Sequence, residues 1–340
     1  MNQNDTLQIA IPRFSSKRIA GMTLIELMVA LAIGAFLMIG AVTVFMQGRS
    51  TFRVNESVSR MQENARFALD TLEPDIRMAH YWGLTTRTTK ILGRAATTAA
   101  AGIGPTTCGN NWTIDLDRAV DGTNNTYTWA CAPTIGAAQA NSDTLVVRRV
   151  SEDPQAAAAN TMQLQSSRNE DAQLFIGAAI PAGYLPAPVS QTHRLIVHGY
   201  YISTNSTQDA AGNPVPSLRR KRLGVGPAIV DEELLSGVED LQVQLGVDTD
   251  AAGAANRGSV DRYVNPGDPI LNPAHANFIP DAEVLAVRIW LRVRAQRPEN
   301  GHTDTTNYVY ADQNVAAIGD RFRRMVVSKT IYLRNARPPR

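Results

Sequence analysis

An α+β fold is what this sequence predicts: one long N-terminal helix packed on an antiparallel β-sheet head with long loops. Three observations carry that expectation. Leu27–Met46 is an uncharged apolar run of 20 residues. An amphipathic stripe of helical period follows it directly. Beyond residue 140, segments of period-two alternation recur with no helix-length segment between them, which favours antiparallel pairing.

The apolar run comes first. A helix of that length spans roughly 30 Å, the thickness of a bilayer's hydrocarbon core. A polar, basic leader ending in Gly21 precedes it, and a single charge, Glu26, stands inside the apolar segment that begins at Met22. An ordinary secretory signal has a shorter apolar region, about 7–15 residues, with the cleavage site after it. Here the candidate cut lies before the run, between Gly21 and Met22, so the helix stays on the mature chain. Glu26 is costly in a membrane, and such residues usually mark function. It lies about 6 Å along the helix from a new N-terminus at Met22, close enough to pair with a cationic α-amino group, its own or a neighbour's. A glutamate in the first helical turn is also favoured by the helix dipole, which is the plainer reading.

The helix is expected to continue outward. Val54, Val58, Met61, Ala65, Leu69, Leu72 and Ile76 recur at spacings of three and four over Gln47–Arg77, with Pro74 expected to kink it or restart a turn. The division read from the sequence is therefore a leader over 1–21, a transmembrane helix over 22–46, its amphipathic extension over 47–82, and a β-rich globular head over 83–340.

In the head, Leu285, Val287, Ile289, Leu291 and Val293 alternate with Ala286, Arg288, Trp290, Arg292 and Arg294, the pattern of a half-buried strand. Leu241, Val243, Leu245 and Val247 form a second strand. Met325, Val327, Ile331 and Leu333 form a third, interrupted by Lys329. Leu195–Ser203 and Thr144–Val150 add two more. Ala95–Gly104, Gln155–Asn160 and Asp250–Arg257 read as surface loops.

Charge places the parts. The chain has 33 basic and 31 acidic residues; Arg13, Lys17, Arg18 and Asp5 belong to the leader, so the remainder is formally neutral. That gives no case for nucleic-acid binding. The leader's cations put the N-terminus in the cytoplasm and the head in the periplasm of a Gram-negative cell. In that oxidising space Cys108 and Cys131 are expected to form a disulfide, worth roughly 3 kcal/mol for such a loop; two free thiols or a metal site is the competing reading.

The motif Gly21-Met22-Thr23-Leu24-Ile25-Glu26-Leu27 resembles the processing site of type IV prepilins and pseudopilins, G-F-T-L-I-E-L, with Met22 in place of the common phenylalanine. The resemblance implies cleavage after Gly21 by a prepilin peptidase, N-methylation of Met22 by the same enzyme, and neutralisation of an adjacent subunit's amino terminus by Glu26. It also implies a pilin-like fold, with the outer half of the helix lying against the sheet. Downstream, Asp231–Asp250, then VDRYV, AVRIWLRVR and SKTIYLRN resemble minor pilins of the PilW family, relatives of the J-type pseudopilin of type II secretion. That likeness implies a subunit that primes a type IV pilus and sits at its tip, supporting assembly, adhesion and twitching. Its implied partners are other minor pilins, the major pilin, the inner-membrane assembly platform and a PilY-type tip adhesin. A type II secretion pseudopilin is the alternative of the same physics. A membrane-tethered periplasmic binding protein or hydrolase is the alternative of another class.

Enzyme chemistry finds little support. No G-x-S-x-G, H-E-x-x-H, Walker A or dinucleotide motif occurs, and His80, His193, His198, His275 and His302 are scattered. No cofactor is expected. Asp248, Asp250 and Asp261 lie where PilW-like proteins carry a calcium-type D-T-D-G-D-G loop. Ala252 replaces the third ligand and Ser259 stands at position twelve, so a solvated turn is expected rather than a tight calcium site. The run Arg219-Arg220-Lys221-Arg222 reads as a solvated edge strand, with a contact to an acidic partner as the alternative.

Overall fold

A computed structural model of the chain describes residues 21–95, 108–109, 111–209, 212–226 and 228–336. Residues 1–20 of the expected leader and 96–104 of the expected loop lie outside them. The chain divides into two compact units, residues 1–55 and 56–340. Helix α1 spans Leu24–Arg77. Within the first unit every described residue from Gly21 to Arg53 is exposed.

The second unit holds the last turns of α1 and the strands. Met61, Ala65, Leu72 and Ile76 of the stripe are buried, together with Ala68, while Val58 and Leu69 are half-buried against the same core. Pro74 does not restart a turn: α1 runs through it to Arg77. Pro74 is exposed, and the turn after it is held from outside the helix. Ile76 is fully buried, and the Arg77 carbonyl accepts from Arg334 N–H at 3.0 Å. Those contacts offset the one helical bond that proline removes.

In chain order the strands are β1 (Ile91–Leu92), β2 (Val120–Thr123), β3 (Thr144–Val150), β4 (Met162–Ser167), β5 (Ala172–Ile176), β6 (Ser190–Gln208), β7 (Pro214–Leu223), β8 (Ile229–Ser236), β9 (Val238–Asp248), β10 (Arg262–Val264), β11 (Glu283–Arg294), β12 (Tyr308–Tyr310), β13 (Gln313–Val315) and β14 (Arg324–Tyr332). One sheet runs β1-β5-β4-β6-β3-β2, with β7 and β8 branching from the long β6; a second runs β10-β9-β11-β14; β12 and β13 form a hairpin. Pairing is antiparallel except for the two-residue β1–β5 contact. The architecture is α+β.

The second sheet shows why period two was legible. β11 lies between β9 and β14, and the apolar residues fall in cross-strand rows: Leu241–Leu291–Val327 and Leu245–Val287–Ile331. Those rows cover the helix residues from Met61 to Ile76 in one core. Lys329 falls in the row with Val243 and Ile289, and its ammonium reaches Glu73 on α1 at 2.5 Å. The interruption of the third strand is thus an ion pair between sheet and helix. A second core lies in the first sheet, around Trp82, Leu116, Val146, Leu164, Leu174 and Val197.

The basic run departs from expectation. β7 is not an edge strand, since it pairs with β6 on one side and β8 on the other. Arg219 and Lys221 are buried and both reach Asp231 on β8, at 2.9 and 3.0 Å. Arg220 and Arg222 flank Glu232 on the other face, at 2.6 and 3.2 Å. The four cations are absorbed by the acidic strand that follows them in sequence.

Candidate functional site

The N-terminal segment is built by composition and by its first turn. From Met22 to Met46 the helix is apolar on all sides, and it is long and apolar enough to cross a membrane. A helix with no polar face that buries none of its surface in its own chain needs lipid or other helices around it. Its start is closed by a capping box. Thr23 Oγ1 accepts the Glu26 N–H at 3.3 Å, and the Glu26 carboxylate accepts the Thr23 N–H at 2.9 Å and its hydroxyl at 3.0 Å. Reciprocal Thr-x-x-Glu bonds satisfy donors that every helix N-terminus leaves unpaired. That signature stands in the sequence and goes beyond the dipole argument for Glu26.

A second polar centre lies at the helix's far end, where no sequence motif announced it. Asp75 is buried on the last turn of α1. It accepts from Arg149 Nε, His198 Nδ1 and Tyr200 Oη, each at 2.8 Å. Burial alone would push its carboxyl up, but the His198 hydrogen bond and charge, with Arg149, hold it at about 2. Every donor is on β3 or β6, so the centre ties the helix to the first sheet. It uses His198; His193 is buried with Nδ1 at 2.8 Å from the Ser151 carbonyl. Neither forms a nucleophile–base pair of catalytic geometry.

The acidic loop does bring Asp248, Asp250 and Asp261 together, with oxygens within 4.8 Å of one another. The loop's own donors occupy two of the three, while Asp250 Oδ2 is buried without a hydrogen-bond partner among the described residues. Asp248 accepts the N–H groups of Asp250, at 2.9 Å, and Gly258; Asp261 accepts Thr249 N–H at 2.7 Å and its hydroxyl at 2.9 Å. Ala252 offers no side-chain oxygen, and its N–H turns to Asp281. Three acids fall short of the six to eight oxygens calcium takes.

Cys108 and Cys131 are joined by a disulfide that closes the segment ahead of β3. Tyr127 donates to the Cys131 carbonyl, and Trp112, Tyr127, Trp129 and Tyr201 pack beside it, edge to face except for the tilted Tyr127–Trp129 pair. Arg148, fully buried behind this segment, donates to the carbonyls of Trp112 (2.8 Å) and Arg118 (2.5 Å). The segment is thereby fastened to β3 by backbone acceptors and carries no reactive thiol.

Comparison with known proteins bears on the two ends of the chain. Residues 16–42 match the prokaryotic N-terminal methylation motif. Residues 199–335, from the middle of β6 to just past β14, match the family model of type IV pilus-assembly protein W. A solved type IV-like pilin from Thermus thermophilus aligns over 84% of this chain and 97% of its own at 13% identity, with a TM-score of 0.34, a similarity too low to carry an argument. No curated protein matches the chain.

Proposed function

We propose that the chain is a minor pilin of the PilW type that primes a type IV pilus and enters it at the tip, a reading supported by the match of residues 199–335 to the type IV pilus-assembly protein W model and of residues 16–42 to the methylation motif. Leader residues 1–21 are removed between Gly21 and Met22, Met22 is N-methylated, and the helix from Met22 to Met46 holds the subunit in the inner membrane. The head stands in the periplasm until assembly. The subunit acts by packing rather than by catalysis.

One observation carries this reading: a helix apolar on every side, with no buried surface of its own, bears a single carboxylate one turn from the candidate cut. Hydrophobic burial among like helices supplies the drive, and a carboxylate–ammonium pair at low dielectric supplies register. Glu26 is the residue proposed to meet a neighbour's amino terminus. The implied partners are the prepilin peptidase, the assembly platform, the major and other minor pilins, and a tip adhesin; attachment and twitching are the proposed outcomes.

The test has two readouts. Intact mass from membranes should show a chain beginning at Met22 and heavier by one methylene, absent from cells lacking the peptidase. Glu26→Ala should insert and fold but fall by about tenfold or more in sheared pili, as expected for loss of a pair worth a few kcal/mol. Wild-type amounts of Glu26→Ala in the filaments overturn the assembly reading.

A further inference from the structure

A cleft of about 720 Å³ opens in the second unit among the segment after α1, the approach to β2 and the loop between β10 and β11. Its volume is in the range of about 300–1,000 Å³ typical of ligand sites. The floor is apolar, with Leu245, Leu271, Phe278 and Val284. The walls are charged and unbalanced: Asp115, Asp117, Asp121, Asp268, Asp281 and Glu283 face three guanidinium groups, those of Arg87, Arg118 and Arg257, and a fourth, Arg94, pairs with Asp117 at 3.1 Å from outside the lining.

Two of those three cations are already engaged. Arg118 lies 3.9 Å from both Asp115 and Asp121, and Arg257 lies 3.6 Å from Glu283 while donating to the Asp250 carbonyl. Asp268 and Asp281 have no ion pair among the described residues; they accept only the backbone N–H groups of Ile270 (3.0 Å) and Ala252 (3.3 Å). His80, in the wall, has its backbone in the left-handed region (φ 65°), and its ring makes no hydrogen bond among the described residues. Burial holds that ring at about 4, so it brings no positive charge at neutral pH. Burial also pushes the Asp115 carboxyl up despite Arg148 and Arg118, so an added cation nearby would relieve it.

We propose that this cleft docks a short basic segment of another protein, with an apolar side chain on the Leu271–Phe278 floor and a lysine or arginine drawn to Asp268 and Asp281. Charge complementarity selects the occupant. The acidic excess repels nucleic acid and anionic lipid. A metal ion is disfavoured because, among the described residues, acids converge closely only at Asp248, Asp250 and Asp261, outside the cleft. The apolar floor favours a peptide over a bare polyamine, since it offers burial that a polyamine cannot use. The inference does not depend on the assembly role, because it concerns recognition by the head.

The test uses the full chain in nonionic detergent and a fluorescent probe, acetyl-Gly-Leu-Lys-Leu-Arg-Gly-amide, read by anisotropy. The same peptide with glutamate at both cationic positions is the comparison. The basic probe should bind, the acidic one should not, and binding should weaken several-fold when salt is raised to about 0.5 M. Asp268→Asn with Asp281→Asn should weaken binding about tenfold, the sum of two rim charge contacts. Asparagine at 268 still accepts the Ile270 N–H, so the loop keeps its local bond. Glu63→Gln, on the exposed face of α1 and outside the cleft lining, should change nothing. A benzophenone version of the probe should crosslink within residues 267–284. Equal binding of both peptides, crosslinks elsewhere, or an unaffected double variant with the parent's melting curve each overturns the proposal.

Discussion

Replacing Asp75 by alanine should destabilise the second unit by about 3–5 kcal/mol, the cost of breaking a buried ion pair by removing one partner. The magnitude follows from what is left behind. Arg149 and His198 are largely buried, Tyr200 is fully buried, and all three aim donors at the vacated position from 2.8 Å. The charge alone accounts for less. With the folded carboxyl at about 2 against a reference of 3.8, the shift is worth about 2 kcal/mol. The folded value is depressed, so this stability is present above the unfolded pKa and is lost as pH falls from about 4 through about 2. The two figures measure different things, since protonation leaves an oxygen to accept bonds whereas alanine leaves none. Urea unfolding of the full chain in detergent at pH 7 and at pH 3, for parent, Asp75→Asn and Asp75→Ala, separates them. Asparagine keeps one acceptor and should fall between the other two. A cost for Asp75→Ala below about 1 kcal/mol would refute the argument, since it would mean the three donors find water or other partners freely.

Other positions give sharper contrasts. Asp231→Ala should cost about 3–5 kcal/mol in the same assay because Arg219, Lys221 and Tyr201 all converge on that buried carboxylate, whereas Glu232→Ala, whose pairs with Arg220 and Arg222 are part-exposed, should cost about 1 kcal/mol or less. Gly83→Ala should cost about 2–3 kcal/mol: φ is +69°, and a Cβ there would stand 2.7 Å from Ser166 Oγ and 2.8 Å from the His193 ring. Burial raises Asp143 to about 7, so the folded chain holds a proton that the unfolded chain releases near 4, and stability should fall as pH rises from about 4 to about 7. His80 and His193, lowered by burial, tilt the curve the other way below about pH 6.5, so the readout is the difference between the two profiles: stability of Asp143→Asn should rise more steeply, or fall less, than that of the parent between about pH 4 and 6.5, measured by thermal unfolding.

The parts legible in the sequence are those where one face meets one core. The alternation at 285–293 locates β11 because apolar side chains at period two have one place to go; Thr144–Val150 coincides with β3 for a different reason, a short apolar run buried on both faces between the two cores. The helix stripe was legible for the same reason at period 3.6. Strand β4 was not: Met162–Ser167 is buried throughout, yet four of its six residues are polar. Gln163 hides there only because its amide donates to the carbonyls of Ala158, Thr161 and Gly177, acceptors that tertiary structure supplies. The basic run misled for a related reason. A charge reads as solvated until its counter-charge is known, and the complement of Arg219–Arg222 lies on the neighbouring strand at a register no periodicity reveals. The Asp75 centre draws on residues 75, 149, 198 and 200, so only the fold assembles it. The capping box was within reach of the sequence, since Thr23 and Glu26 stand at the required spacing.

That box bears on how one carboxylate can serve both a single chain and an assembly. In the chain, Glu26 is not bare: it accepts two bonds from Thr23, and Thr23 in turn accepts from the Glu26 and Leu27 N–H groups. A cap of this kind is worth about 1 kcal/mol. It lowers the penalty of holding a carboxylate at the end of an apolar helix without fixing it permanently. A pair with an ammonium group at low dielectric is worth more than bonds from neutral donors, and one carboxylate oxygen can keep a Thr23 bond while the other turns to the cation. In the assembly role proposed here, the cap therefore acts as a holding contact, strong enough to start the helix and weak enough to be exchanged. Its position explains why the exchange must occur at the first turn. Deeper in the helix, every backbone N–H already has its partner, and a carboxylate would have no donor to hold it before a neighbouring subunit arrived.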